Sequence, residues 1–190
     1  MCGIVAYIGT KPAKDLLLEG LKRLEYRGYD SAGLAVVHEK KIERVRRLGK
    51  VKGLQGALKD RDVSGHIGIA HTRWATHGTP SEGNAHPHLS GGKVAVVHNG
   101  IIENFQNLRD ELEAAGYKQA SDTDTEVLAH LIKRCTQENN GDCAQGIRAA
   151  LNKAEGSFAL LMWFEETPDR LWFARNESPM VLGLGDEGYF

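Results

Sequence analysis

A chemical reading of this sequence turns on Cys2, in the run Cys2-Gly3-Ile4-Val5. Met1 precedes a small side chain, so an aminopeptidase can remove it and leave a thiol and a free α-amine on one residue. An α-amine titrates near ~8 and a free thiol near ~8.5, which makes the amine a base matched to that thiol. A nucleophile with its own neighbouring base is the minimum equipment for acyl transfer. The plainer reading is a small core residue at position 2.

Two further pairs bear on the same chemistry. Asn99-Gly100 follows an apolar run. The dipeptide is a strong turn signal, and it also offers a side-chain amide and a backbone N–H as an oxyanion hole. Arg73 and Asp124 are the guanidinium and carboxylate that an amino-acid zwitterion needs. Arginine can grip an α-carboxylate bidentately, and aspartate can accept from an α-ammonium. Either is equally suited to an exposed surface, and spacing alone does not bring them together.

Six of the eight histidines lie between His66 and His98, and His86-x-His88 has chelating spacing. There is no HExxH, no second spaced pair and no matched cysteine set, so the expectation is that no metal is bound. The glycine-rich stretches match neither a P-loop nor a dinucleotide fingerprint, which leaves nucleotide binding without support.

Composition narrows the class. The chain has 190 residues, enough for a real core, and its 24 basic and 25 acidic residues give a net charge of -1. That balance offers no electrostatic case for nucleic acid or an anionic membrane. Cys2, Cys135 and Cys143 form no even framework and no CxxC, which suits a reducing compartment. No signal peptide and no apolar run of spanning length is present, so the chain reads as cytoplasmic.

The elements that must position these residues follow from pattern. Gly3 to Ile8 reads as a buried strand, and Leu17, Leu21 and Leu24 share a helical face after Pro12. Residues 25–33 read as a glycine-broken loop, and 34–37 with 42–46 as a hairpin. A short helix is expected over 51–58, and buried strands over 67–70 and 94–97. Between those strands, residues 72–88 combine histidines, aromatics and turn formers without a period, the mark of a long ordered loop that carries function. A helix is expected from Asn104 to Ala115, and Thr123 has capping-box spacing to Glu126, with Asp124 in the first turn. A helix over 147–153 and strands over 157–164, 171–174 and 180–184 complete the inventory. Antiparallel sheets packed face to face with helices outside fit this order better than a doubly wound sheet. A strand is beginning at Gly188-Tyr189-Phe190 where the chain stops, so a domain cut short at its C-terminal end is expected.

Taken together, Cys2-Gly3-Ile4-Val5, LEYRGYDSAG from Leu24 to Gly33, HTRWATHG from His71 to Gly78, NAHPH from Asn84 to His88 and HNGIIE from His98 to Glu103 resemble one family. It is the glutaminase domains of the glutamine–fructose-6-phosphate aminotransferases. The acidic segment Ser121-Asp122-Thr123-Asp124-Thr125-Glu126 matches as well. In the phosphoribosyl-pyrophosphate branch the first loop carries His-Arg-Gly-Gln in place of Tyr26-Arg27-Gly28-Tyr29.

The resemblance implies an α+β fold, the N-terminal-nucleophile hydrolase four-layer αββα sandwich with two antiparallel sheets, over residues 1–190. It implies Cys2 as nucleophile, its own α-amine as base, and Asn99 with the Gly100 N–H as oxyanion donors. Arg73 and Asp124 would bind the glutamine zwitterion, with Thr76 and His77 lining the same loop. Trp74 would help to close the site, and Arg27 would lie near the nucleophile. No cofactor is implied. A separate isomerase domain, absent here, would convert fructose 6-phosphate to glucosamine 6-phosphate in a homo-oligomeric full-length enzyme. The alternatives are a glutaminase serving another acceptor, or a non-enzymatic metal-binding or glutamine-sensing module.

Overall fold

Strand alternation decides the layers. In the computed structural model, which describes residues 2–190, β1 (Gly3–Gly9) sends Val5 and Tyr7 to one face and Ile4 and Ala6 to the other. Val5 and Tyr7 meet Leu17, Leu18 and Leu21 of α1 (Ala13–Leu24), a helix with Pro12 just before its first turn. Ile4 and Ala6 join Ile69, Ala95, Val97 and Trp163 in a core between two sheets.

The first sheet is completed by β2 (Ser31–His38), β3 (Lys41–Leu48), β4 (Ile67–Arg73), β9 (Leu184–Gly185) and β10 (Gly188–Tyr189), in the order β3-β2-β4-β1-β10-β9. The second holds β5 (His88–Ser90), β6 (Val94–Ile102), β7 (Gly156–Phe164) and β8 (Trp172–Asn176), in that order. All the named pairings are antiparallel. α1 and α2 (Val51–Ala57) cover the outer face of the first sheet. α3 (Phe105–Ala114), α4 (Asp124–Glu138) and α5 (Cys143–Leu151) cover the second, over Val94, Val96, Leu160 and Met162. Three apolar cores thus separate four layers, helix, sheet, sheet, helix. Each fully buried Leu or Val contributes about 1.5–3 kcal/mol to holding them together.

Several sequence-based boundaries shift, for identifiable reasons. Ser31 to Gly33 reads as loop but is strand, because β2 pairs along its length with β3 on one side and over Ser31 to Val37 with β4 on the other. Pairing on both edges overrides the local glycine signal. Gly33 is required there by contact, since a Cβ would stand 2.1 Å from the His86 carbonyl oxygen. β4 and β6 both run past their apolar cores, so Arg73, Asn99 and Gly100 lie on strands rather than in the loops expected. α5 starts at Cys143, earlier than its apolar period suggests, because the Asp142 side chain accepts from Gln145 N at 3.0 Å. Residues 180–183 form no strand, and pairing resumes only where Leu184 meets Tyr189.

Candidate functional site

The site assembles where three strand ends and one helix start converge. β1 and β4 are antiparallel with Gly3 opposite Thr72, which sets Cys2 beside the segment that follows Arg73. The Trp74 N–H donates to Cys2 Sγ at 3.2 Å, and the thiol donates to the Trp74 carbonyl at 3.5 Å. The loop is held in that position by Asp30. Its backbone N–H donates to the Arg73 carbonyl at 3.1 Å, and its carboxylate accepts from Ala75 N and from Ser31 Oγ. Gly28 permits the approach, because a Cβ would stand 2.9 Å from the Arg73 carbonyl carbon.

β6 enters from the other sheet. Asn99 Nδ2 donates to the Cys2 carbonyl at 3.2 Å, placing the amide beside the nucleophile. Gly100 sits at φ +139°, and a Cβ there would stand 2.0 Å from the Ser157 carbonyl oxygen. Both the backbone angle and the contact demand glycine. β5 pairs with β6 only as far as Val96, so among the described residues the later part of that edge has no strand beside it. On this edge His98 N donates to His86 Nδ1 at 3.3 Å and Ile102 N to Asp124 Oδ2 at 3.0 Å.

Arg73 is 4% exposed. Its Nη2 donates to the His77 and Gly78 carbonyls, while its buried Nη1 has no hydrogen-bond partner among the described residues. No carboxylate among the described residues pairs with this guanidinium. A buried cation without a counter-charge is costly, and its open donor is suited to an anionic group. Asp124 is equally buried and begins α4, where the helix dipole favours a carboxylate. Thr123 caps that helix, its Oγ1 accepting from Glu126 N at 3.2 Å, as the spacing predicts. The reciprocal half of the box is absent: the Glu126 carboxylate accepts from Ala120 N, Ser121 N and Ser121 Oγ instead.

One cavity of about 1280 Å³ is lined by Cys2, Arg27, Arg73, Trp74, Asn99 and Asp124, and also by Thr76, His77 and Gly100. It extends along the apolar run from Pro179 to Leu184 and along Tyr189 and Phe190. Thr76 is on the exposed rim, and half-exposed Trp74 meets Tyr29 edge-on at 5.6 Å. His77 turns its ring to Phe105 at 4.9 Å and offers its carbonyl, not its ring, to Arg73.

Burial pushes the Cys2 thiol up, against the lowering effect of the Trp74 N–H. A neutral thiol at pH 7 needs a base to become a nucleophile. Three of the clustered histidines, His86, His88 and His98, make structural contacts. His88 Nε2 meets Thr123 Oγ1 at 3.1 Å, His98 Nδ1 meets Thr125 Oγ1 at 3.0 Å, and His86 stacks on His71 at 4.0 Å. Burial holds His71, His86, His88 and His98 below the ordinary imidazole range. Neither Asp30 nor His71 stands out by residue type or spacing in the sequence. Asp30 carries the weak signal of an acidic residue closing a glycine-broken turn, whereas the role of His71 depends on a contact between sheets.

A family model for the glutamine amidotransferase domain matches residues 71–188. The chain belongs to that family. Among relatives of this amidotransferase domain, the glutamine–fructose-6-phosphate aminotransferase (isomerizing) of Pseudomonas putida is 53% identical over 186 residues, covering 97% of the chain and 30% of the relative. That of Rhizobium leguminosarum is 52% identical over 190 residues, covering 100% and 31%. The chain therefore spans about a third of the length of these relatives. A solved glutamine phosphoribosylpyrophosphate amidotransferase from B. subtilis superposes with TM-score 0.84 at 26% identity, covering 100% of this chain and 41% of that one. The amidotransferase domain has the N-terminal-nucleophile hydrolase fold that the sequence leads one to expect, with two antiparallel sheets between helices. Among the described residues no helix is long and apolar enough to cross a membrane.

Proposed function

We propose that this domain hydrolyses glutamine to glutamate and ammonia with Cys2 as nucleophile, and that in the full-length protein the ammonia converts fructose 6-phosphate to glucosamine 6-phosphate. The carrying observation is convergence: the Cys2 thiol, the Asn99 amide, the Arg73 Nη1 that has no partner among the described residues, and the Asp124 carboxylate come from four separate stretches to one cavity. The names and high identity of the relatives favour fructose 6-phosphate as acceptor.

With Met1 removed, the Cys2 α-amine takes the thiol proton and the thiolate attacks the glutamine side-chain carbonyl. Negative charge builds on that oxygen, and Asn99 Nδ2 with the Gly100 N–H stabilises it. Alternation along β6 supports the second donor, because the neighbouring His98 and Ile102 N–H groups both face the open edge. The ammonium formed at the terminus returns its proton to the leaving nitrogen, and the tetrahedral intermediate expels ammonia, leaving a thioester on Cys2. Water, deprotonated by the same amine, then releases glutamate and restores the thiol. Arg73 holds the α-carboxylate of glutamine and Asp124 its α-ammonium. Thr76, His77 and Trp74 line and cover the bound amino acid, and Arg27 borders the nucleophile. These steps require no metal or organic cofactor, and the composition fits a cytoplasmic enzyme.

Ammonia release from glutamine tests the reading. Cys2→Ala should abolish it, whereas Cys135→Ala and Cys143→Ala, at buried positions in α4 and α5, should leave most of it. Turnover surviving in Cys2→Ala would refute the assignment. Absence of an aminosugar product from the full-length protein, with glutaminase activity intact, would point to another acceptor.

A further inference from the structure

An asparagine side chain has two ends of nearly equal shape, and only one of them can donate to an oxyanion. Something must hold Asn99 with its nitrogen toward Cys2. His71 does so geometrically. It lies on β4, in the first sheet, while Asn99 lies on β6, in the second. His71 is 1% exposed, and its Nε2 is 3.0 Å from the His98 carbonyl oxygen and 2.9 Å from Asn99 Oδ1. With Oδ1 turned to the histidine and Nδ2 to the Cys2 carbonyl, both neighbours of Nε2 are acceptors. Nε2 therefore carries the proton and donates it to both. Nδ1 is buried without a partner among the described residues, so no acceptor is in place for a second ring proton. The ring is fixed by stacking on His86 at 4.0 Å, with 26° between the planes. Ile4, two residues from the nucleophile, is opposite His71 in the β1–β4 register. The histidine thus ties the strand that carries Cys2 to the amide that serves it.

We propose that His71 is a positioning residue for the glutaminase reaction: its Nε2–H, shared between the His98 carbonyl and Asn99 Oδ1, orients the Asn99 amide as oxyanion donor. The inference rests on the reading of Asn99 given above. It makes His71 neither a base nor a substrate contact.

The test is a double-mutant cycle on the processed chain, with kcat and KM for glutamine measured for wild type, H71F, H71Q, N99A and H71F combined with N99A. H71F keeps a ring to stack on His86 and loses the donor. It should lower kcat about ten- to a hundred-fold, the scale of a misplaced catalytic group, with KM little changed. H71Q, which can return an N–H near the same place, should recover much of that loss. In the N99A background H71F should cost less than about threefold, since no amide remains to be oriented. Unchanged kcat in H71F, or a loss repeated in full on top of N99A, overturns the proposal and leaves His71 a core residue. Should H71F not fold, H71Q with and without N99A completes the cycle. Side-chain ¹⁵N spectra of the wild type decide the tautomer in that case, and a proton on Nδ1 instead of Nε2 overturns the proposal. N99A with full kcat would refute the oxyanion reading itself, a result distinct from an impaired N99A beside a fully active H71F.

Discussion

At the residue scale, each proposed group makes a distinct kinetic signature. Asn99 acts on charge that exists only during the reaction, so Asn99→Ala should lower kcat about a hundred- to a thousand-fold, ~2.7–4 kcal/mol, and leave KM nearly unchanged. A raised KM with kcat intact would make it a binding residue. Arg73 and Asp124 should show the opposite pattern. Arg73→Lys should restore only part of the affinity lost in Arg73→Ala, because an ammonium cannot reproduce the guanidinium fork. Asp124→Asn should weaken glutamine about ten- to a hundred-fold, the value of a charge-assisted bond at roughly 1.5–3 kcal/mol, and barely affect an analogue without the α-amine. Equal losses for both ligands would return Asp124 to its structural bond with Ile102 N.

At the element scale, the chemistry depends on how strands end and how α4 begins. Thr123 holds the α4 N-terminus and also meets His88 Nε2, so Thr123→Ala should cost about 1 kcal/mol of stability in denaturant unfolding. A loss within error would show that the His88 contact and the cap are both dispensable. This cap was legible in the sequence because its partners lie three residues apart, and so was β1, whose apolar run forms one strand. The strand ends were not. Arg73, Asn99 and Gly100 are polar or glycine, and such residues read as loop unless pairing partners are known. Gly33 hid its strand for the same reason, since the close approach of His86 that requires it belongs to the fold and not to its neighbours in sequence. The candidate residues themselves were legible through motifs, but their convergence was not. The His71–Asn99 bond spans 28 residues and crosses from one sheet to the other.

At the scale of the whole molecule, the buried histidines predict acid sensitivity. Burial brings His71 down to about 3 and holds His86 and His88 well below the imidazole range. In the unfolded chain these rings take up protons near pH ~6.5, whereas the folded state resists until much lower pH. Unfolding therefore binds protons, and stability present above about pH 6.5 should fall progressively as pH drops toward 3. Melting temperatures flat from neutral pH to the acid range would contradict that. The central claim, however, is that one terminal residue supplies both nucleophile and base, and it makes a demand on the whole chain: Met1, outside the described residues, must be gone. The most direct measurement is ammonia release from glutamine by two preparations whose termini are established by intact mass, one starting at Cys2 and one blocked so that Met1 remains. The account predicts turnover in the first and almost none in the second, because an amide nitrogen is no base. Equal rates would contradict it.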